Sequence, residues 1–195
     1  MPKVFNDGDR NIIRENLIRY GLEALERGGY KSASIEAIAR QAGIAKGTFY
    51  NFFQSKEHFF FEVMLSIRNE NRKDIYDFVS SGKCNKESME DFLFERYMKR
   101  KNVNHYFTPD VQKIIFRKMP EQLSITSLDS SSLAAELFSK IPNVNPKLNN
   151  EVVVNIMNMM GSYAANNELL PVDSQDATMR FLANALASYI FEGVK

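Results

Sequence analysis

Apolar side chains recur every three or four residues along most of this 195-residue chain, which is the period of one face of an α-helix. No apolar–polar alternation bounded by hairpin turns interrupts this pattern, and there is no internal repeat. Proline is absent between Pro2 and Pro109 and afterwards falls mainly between apolar stretches. The pattern therefore predicts an all-α protein.

Cap and turn residues divide the chain into about nine helices. Gly28-Gly29 closes the first helix, since a glycine after a helix end readily takes the left-handed conformation. Ser34 and Ser55 are helix caps, and Gly43 turns the chain between two short helices. We place the helices from a cap at Asp7 or Asp9 to Gly28, then near residues 35–42, 45–52, 56–79, 86–103, 109–119, 131–140, 147–166 and 174–192.

Composition and charge are those of an ordinary globular protein. Hydrophobic residues make up 44% and charged residues 25%, which excludes a disordered chain and allows one or two domains. The net charge of +1 excludes a general polyanion binder. However, residues 1–56 carry nine Lys/Arg against six Asp/Glu. A mildly basic front on a mildly acidic remainder suits a small nucleic-acid-binding head.

The residues that carry most enzyme chemistry are scarce. The single cysteine, Cys84, excludes an intrachain disulfide, and only His58 and His105 accompany it as metal-binding candidates. With no phosphate-cradling glycine loop and no nucleophile–base pair, we expect no enzyme, no metal site and no cofactor. No signal core and no run of about 18 apolar residues is present. We therefore expect a soluble cytoplasmic protein without a membrane partner.

The segment from Ser34 to Lys56 has the layout of a helix-turn-helix, with two short helices joined at Gly43. The second of these helices would enter the major groove of DNA, with Lys46 and Thr48 at its start. Spacing alone leaves open a helical bundle without DNA binding. The polar residues of the second helix favour DNA.

Other side chains of this helix suggest individual roles. Gly47 lets the backbone approach DNA closely, Tyr50 can donate a hydrogen bond to a phosphate, and Asn51 can pair with an adenine edge. Tyr50 is alternatively a tyrosine at the core edge, and Asn51 a cap or a solvated residue. Lys56 opposes the dipole of the next helix, which favours a nearby phosphate, although a solvated lysine is the alternative. Phe49 is expected in the core.

The order and spacing of these residues resemble the DNA-binding signature of the tetracycline-repressor (TetR) family. The resemblance covers about residues 10–65, whereas the rest of the chain agrees only in length and helical character. The matching positions are Leu17-Ile18, Gly21-Leu22, Leu25, Gly29-Tyr30, Ser34, Ile38-Ala39, Ala42-Gly43-Ile44, Lys46-Gly47-Thr48-Phe49-Tyr50, Phe53 and Ser55-Lys56-Glu57. One departure is Ala45, where the family usually has a Ser or Thr cap.

The resemblance implies a helix-turn-helix head, residues 1–55, fused to a helical effector-binding and dimerisation body, residues 56–195. It implies a homodimer that binds a palindromic operator in double-stranded DNA and releases it when a small molecule binds. The DNA-binding residues implied are Ser34, Lys46, Gly47, Thr48, Tyr50, Asn51 and Lys56.

The body is rich in aromatic and methionine side chains, which line adaptable apolar pockets. Such a pocket would suit a flat apolar or aromatic ligand. The alternative is that these residues only form the core. The pocket candidates are Phe78, Phe92, Tyr97, Phe107, Phe116, Met157 and Met160.

The last two helices each carry a broad apolar side, and two such helices from each subunit would form a four-helix bundle. The alternative is that both stripes pack inside one subunit. The interface candidates are Val153, Ile156, Met160, Ala164, Leu182, Ala185, Leu186 and Tyr189.

Together these features predict a sequence-specific transcriptional regulator, a repressor that a small apolar or aromatic ligand releases from its operator. The alternative is a DNA-binding protein without a small-molecule switch, either controlled by a partner or architectural.

Overall fold

The structure is a computed structural model, and it describes residues 6–119, 132–166 and 171–192. All regular secondary structure in these ranges is helical, which confirms the predicted all-α class. The helices are α1 (Asp7–Ser32), α2 (Ile35–Gln41), α3 (Lys46–Phe49), α4 (Lys56–Ser80), α5 (Lys86–Lys99), α6 (Val103–Tyr106), α7 (Pro109–Lys118), α8 (132–138), α9 (Asn150–Asn166) and α10 (Val172–Phe191).

Helix α1 begins one residue earlier than predicted, because its cap is Asn6 and not Asp7 or Asp9. The Asn6 side chain accepts a hydrogen bond from the Asp9 amide at 2.8 Å, and the Asp9 carboxylate accepts one from the Asn6 amide. The predicted break is present at Gly29, where φ is +73°, and the chain then returns to helix as far as Ser32.

Several helices are shorter than predicted, among them α9, which begins at Asn150 and not at residue 147. The helix expected over 45–52 is regular only from Lys46 to Phe49, and the next residues form a turn. The helix expected over 86–103 ends at Lys99. Past that end, Asn102 donates a side-chain hydrogen bond to the Gly161 carbonyl of α9. The predicted helix start at residue 131 lies outside the described residues.

The chain forms two compact units. The first contains the described residues up to Ile67 and residues 106–119, and the second contains 68–105 and the described residues from 132 onward. Helix α4 contributes its first half to one unit and its second half to the other. The predicted domain boundary between residues 55 and 56 differs from this grouping, since the early apolar residues of α4 pack with α1 and α3.

The first unit is built around a cluster of aromatic rings. Phe49 of α3 lies 5.1 Å between ring centroids from Phe59 of α4, and both are completely buried. Helix α1 comes close to α4 at Gly21, where an added Cβ would lie 2.5 Å from the Phe59 ring. Only glycine fits this contact without displacing the ring, which explains a glycine on the buried side of α1.

The second unit packs α5 against α10 and α9. Leu93 of α5, Met160 of α9, and Met179 and Leu186 of α10 lie in one buried cluster. No helix in the described residues has the length and apolar content needed to cross a membrane.

Candidate nucleic-acid interface

The turn between α2 and α3 is fixed by local hydrogen bonds. The hydroxyl of Ser34 accepts from the Ala37 amide at 3.3 Å and so caps α2, as predicted. Gly43 takes the left-handed conformation, with φ of +73°, and the Ile44 amide donates to the Ala39 carbonyl at 3.0 Å. These contacts fix the direction in which α3 leaves the turn.

Helix α3 is anchored on one side by Phe49. Its ring has no exposed surface and lies 5.3 Å between centroids from Phe53. No side chain caps the helix at Ala45, in agreement with the loss of the usual Ser or Thr. Burial of one side leaves the opposite side of this short helix to face solvent.

The polar residues predicted to contact DNA lie on that solvent-facing side. Lys46, Gly47, Tyr50 and Asn51 are exposed, and Thr48 is half-buried. The Lys46 ammonium lies 4.0 Å from the Glu36 carboxylate, and both side chains are more than half exposed. An ion pair this exposed is weak in water, so the Lys46 ammonium remains able to bind a phosphate.

Tyr50 lies at the edge of the core, which is one of the two positions that the sequence left open. Its ring packs edge-on against Phe49 at 5.3 Å between centroids, while 45% of the residue remains exposed. The core contact holds the ring in place, and the exposed portion is available to a ligand.

Lys56 lies at the start of α4, as predicted, and its side chain has partners within the protein. Its ammonium donates a hydrogen bond to the Ala33 carbonyl at 2.8 Å and lies 4.7 Å from the centroid of the Tyr30 ring. Burial lowers the pKa of Lys56 from its usual value. The side chain joins α4 to the link between α1 and α2, and its role as a phosphate contact stays a prediction.

A groove of about 340 Å³ runs between α1 and α2, with Ser34 in its wall. Its polar lining includes Arg27 and Arg40, which the sequence analysis did not single out. Arg27 donates to the side-chain oxygen of Gln41 at 3.4 Å. Such residues escape sequence analysis because they become neighbours only when α1 and α2 pack together.

The pocket candidates do not form one group. Phe107 and Phe116 belong to the first unit, where their rings lie against Phe60 and Phe61 respectively. The other candidates belong to the second unit, where Phe78 of α4 stacks on Phe92 of α5 at 4.2 Å between centroids. These remaining candidates are Phe78, Phe92, Tyr97, Met157 and Met160.

Half of the predicted dimer residues face inward. Val153, Met160, Ala164 and Leu186 are buried within the second unit. A side chain already covered by its own subunit offers a partner little surface, and the interface assignment of these four residues stays a prediction. The other four predicted residues of this unit are at least partly exposed, namely Ile156, Leu182, Ala185 and Tyr189.

The large apolar side chains most exposed on α9 and α10 are neighbours of the predicted ones. They are Val152, Met159, which is 68% exposed, and Phe181, which is 73% exposed. Apolar side chains of this size mark an interaction surface when they form one contiguous patch. Any subunit interface on these helices would therefore use their outward face.

The helix-turn-helix region is similar to known regulatory proteins. Residues 17–63 match the sequence family described as bacterial regulatory proteins, tetR family. Over 51 residues the chain is 39% identical to the transcriptional regulator AcuR of Cereibacter sphaeroides, covering 26% of this chain and 23% of AcuR. Over 66 residues it is 30% identical to the transcriptional repressor DhaR of a Mycobacterium species, covering 34% of this chain and 33% of DhaR. The chain thus spans well under half the length of these curated relatives.

Solved structures share the fold over nearly the whole chain. A Rhodococcus protein assigned to the TetR family of regulators aligns with a TM-score of 0.65 at 12% identity, over 91% of this chain and 100% of that one. The TetR-family regulator CifR, in complex with 26-base-pair operator DNA, aligns with a TM-score of 0.60 at 17% identity, over 95% of this chain and 98% of CifR. FadR of Bacillus subtilis, in complex with stearoyl-CoA, aligns with a TM-score of 0.51 at 15% identity, over 93% of this chain and 99% of FadR.

At these identities the structural likeness concerns the fold alone, and the sequence match concerns the head. Both agree with the helix-turn-helix geometry around Ser34, Gly43 and Phe49. Residues 17–63 therefore carry the sequence signature of the tetR family of bacterial regulatory proteins, and the chain shares its fold with solved regulators of that family.

Proposed function

We propose that the chain is a sequence-specific DNA-binding transcriptional regulator, which acts by binding and not by catalysis. The observation that carries this proposal is the two-sided character of α3. Phe49 is completely buried, while Lys46, Gly47, Tyr50 and Asn51 face solvent. A short helix held by its apolar side and exposing such donors fits a recognition helix in the major groove.

Each exposed group has a distinct role in this proposal. Lys46 and Tyr50 bind phosphate oxygens, and Ser34 adds a hydroxyl at the start of α2. Asn51 pairs with an adenine edge, and Thr48 contacts the backbone or a thymine methyl. Gly47 has no atom within 4 Å of where a Cβ would stand, so its bare backbone is free to come close to the duplex.

The regulator acts as a homodimer that represses by occupying a palindromic operator. Paired recognition helices bind successive major grooves when they are about 34–36 Å apart. The exposed apolar side chains Val152, Met159 and Phe181 support a subunit interface on α9 and α10. The repressor DhaR and the CifR–operator complex, both similar to this chain, support the repressor role.

A small molecule with an apolar body controls release from DNA. The soft aromatic and methionine side chains of the second unit suit such a ligand. The complex of FadR with stearoyl-CoA, a protein of the same fold, supports this part of the proposal. Coupling of this kind is typically about 1–3 kcal/mol between two binding sites.

The test is to select genomic fragments that the purified full chain retains and to examine them for inverted repeats. Binding is then measured by fluorescence anisotropy for the chain and for Asn51→Ala, with Asn166→Ala on α9 as the matched control. Recovery of inverted repeats, with loss of preference at one base pair in Asn51→Ala only, supports the proposal. Retention of no duplex at low salt would refute it, and operator binding that no small molecule alters would favour the alternative without a switch.

A further inference from the structure

Arg96 occupies a position that normally belongs to an apolar residue. It lies on the side of α5 that also carries Met89, Leu93 and Tyr97, all of which are buried. Arg96 itself is only 8% exposed, and it is the one buried charged residue in the described part of the chain. A charge in such a place needs partners to offset its desolvation.

Those partners are incomplete. The Nε and Nη1 atoms of Arg96 are buried and have no hydrogen-bond acceptor within the described ranges. Unsatisfied buried donors are rare in native proteins, and each one calls for an explanation.

The nearest carboxylate does not supply the missing acceptor. The Oδ2 atom of Asp74, on α4, lies 3.6 Å from Nη1 of Arg96, beyond a good hydrogen bond. The same oxygen is held at a much shorter distance by Arg100. Two guanidinium groups therefore share one carboxylate oxygen, which leaves an excess positive charge beside the buried donors.

The seam between α4 and α5 continues from this charged cluster into an aromatic one. Phe78 lies one helical turn after Asp74 on α4, and Phe92 lies one turn before Arg96 on α5. Their rings are parallel within 5° and stacked at 4.2 Å between centroids. A cationic end and an apolar continuation thus lie next to each other in one interhelical seam of the second unit.

We infer that Arg96 binds the anionic head of the effector, and that the effector is an amphiphile with a carboxylate or phosphate head and an apolar body. This inference rests on the proposed ligand-controlled function and narrows its ligand class. A planar guanidinium with two free donors matches the two oxygens of such a head. The head would take the acceptor position that Asp74 fills poorly, and the apolar body would follow the seam toward Phe78 and Phe92.

The competing explanation is that Arg96 only joins α4 to α5 through Asp74. The two explanations differ for Asp74→Asn. If Arg96 is merely structural, this variant weakens the helix pair and gains no affinity for anions. If Arg96 binds an anionic head, removal of the competing carboxylate frees its guanidinium, so anionic probes bind more tightly even when Arg100→Met has removed the other guanidinium that shares this oxygen.

The experiment uses calorimetric titration of the full chain with octanoate, decanoate, hexadecanoate and decyl phosphate, each against the uncharged alcohol of equal chain length. We expect at least one anion to bind about tenfold or more tightly than its alcohol, as a charge-assisted hydrogen bond provides. Arg96→Met removes this preference without weakening the alcohol, and Arg96→Lys keeps part of it. Lys99→Met, which removes an exposed cation of the same helix, is the matched control and leaves the preference intact.

Circular dichroism shows whether each variant is folded. If Arg96→Met does not fold, the change in anion affinity of Asp74→Asn decides between the two explanations. The inference is overturned if no anion binds, or if Arg96→Met keeps the same preference for anion over alcohol as the parent. Weaker anion binding in Asp74→Asn also overturns it. Operator binding is measured on the same preparations without probe. Intact operator binding with no anion preference refutes the ligand class alone, whereas lost operator binding with intact preference refutes only the proposed DNA-binding function.

Discussion

The ammonium of Lys56 donates a hydrogen bond to the carbonyl oxygen of Ala33 at 2.8 Å. Ala33 follows the last residue of α1 and precedes Ser34, the cap of α2. The bond therefore joins the first turn of α4 to the point where the chain enters the helix-turn-helix. It accounts for a cation at a helix N-terminus, where the helix dipole is unfavourable to positive charge.

We predict that Lys56→Met lowers the free energy of unfolding by about 1.5 kcal/mol, the lower end of the range expected for a hydrogen bond to a charged group. Urea denaturation followed by circular dichroism measures this change. Lys31→Met, which removes an exposed cation from the end of α1, is the control and leaves the midpoint nearly unchanged. An unchanged midpoint for Lys56→Met, together with a reduced salt dependence of DNA binding, would instead support its predicted role as a phosphate contact.

Gly47→Ala separates the needs of the fold from those of DNA binding. Nothing lies within 4 Å of the added Cβ, and alanine is the better helix former by up to about 1 kcal/mol. We therefore expect unchanged or slightly higher thermal stability and weaker binding to the selected operator. If operator affinity were fully retained, the backbone at Gly47 would not approach the duplex.

The head is predictable from the sequence because its signals are local. The cap at Ser34, the left-handed turn at Gly43 and the inward ring of Phe49 each depend on residues a few positions away. The partner of Lys56 escaped prediction because it is a backbone carbonyl 23 residues earlier. Backbone acceptors leave no mark on the sequence, so a lysine that binds one looks like a free lysine.

The outward faces of α9 and α10 were harder to predict for a geometric reason. Successive helical residues point about 100° apart, so Met159 and Met160 lie on different faces although both are apolar. Helix α9 is apolar on more than one side, and only packing in the second unit reveals that Met160 is buried and Met159 exposed. Arg96 shows the opposite case, a charge on a stripe that periodicity assigns to the core.

We predict that Lys46→Met weakens binding to all duplexes similarly and lowers the slope of log K against log salt by about 0.9, the change for one phosphate contact. The weak pairing with Glu36 at 4.0 Å means that the fold loses little. Anisotropy titrations at several salt concentrations measure the slope. Lys113→Met is the matched control, since Lys113 is also an exposed lysine and is paired with Asp110 on α7. A change of base preference without a change of slope would assign Lys46 to base contact.

Phe181→Glu tests the subunit interface. Its side chain is 73% exposed, so the substitution changes the stability of the folded subunit by no more than about 0.5 kcal/mol, as at most surface sites. A charge placed in an apolar interface is costly, so we expect sedimentation velocity to shift from dimer to monomer. Ile114→Glu, at an exposed apolar residue of α7, controls for added charge and leaves the dimer intact. A Phe181→Glu protein that stays dimeric would place the interface elsewhere.

Tyr97 gives the second unit a defined response to alkaline pH. Burial raises its pKa from 10.0 to about 12, so the native state keeps the phenol proton after the unfolded chain has lost it. Stability therefore falls as pH rises through this window, by at most about 3 kcal/mol for two pKa units. Burial also raises the pKa of Cys84, from 9.0 to about 11, with the same sign. Urea unfolding near pH 10 and near pH 12 measures the loss of stability across this window. Both proteins carry Cys84→Ala, so that only Tyr97 differs between them. We expect the loss to be smaller for the protein with Tyr97→Phe than for the one that keeps Tyr97. Equal losses would mean that the Tyr97 hydroxyl ionises as readily in the folded protein as in the unfolded chain.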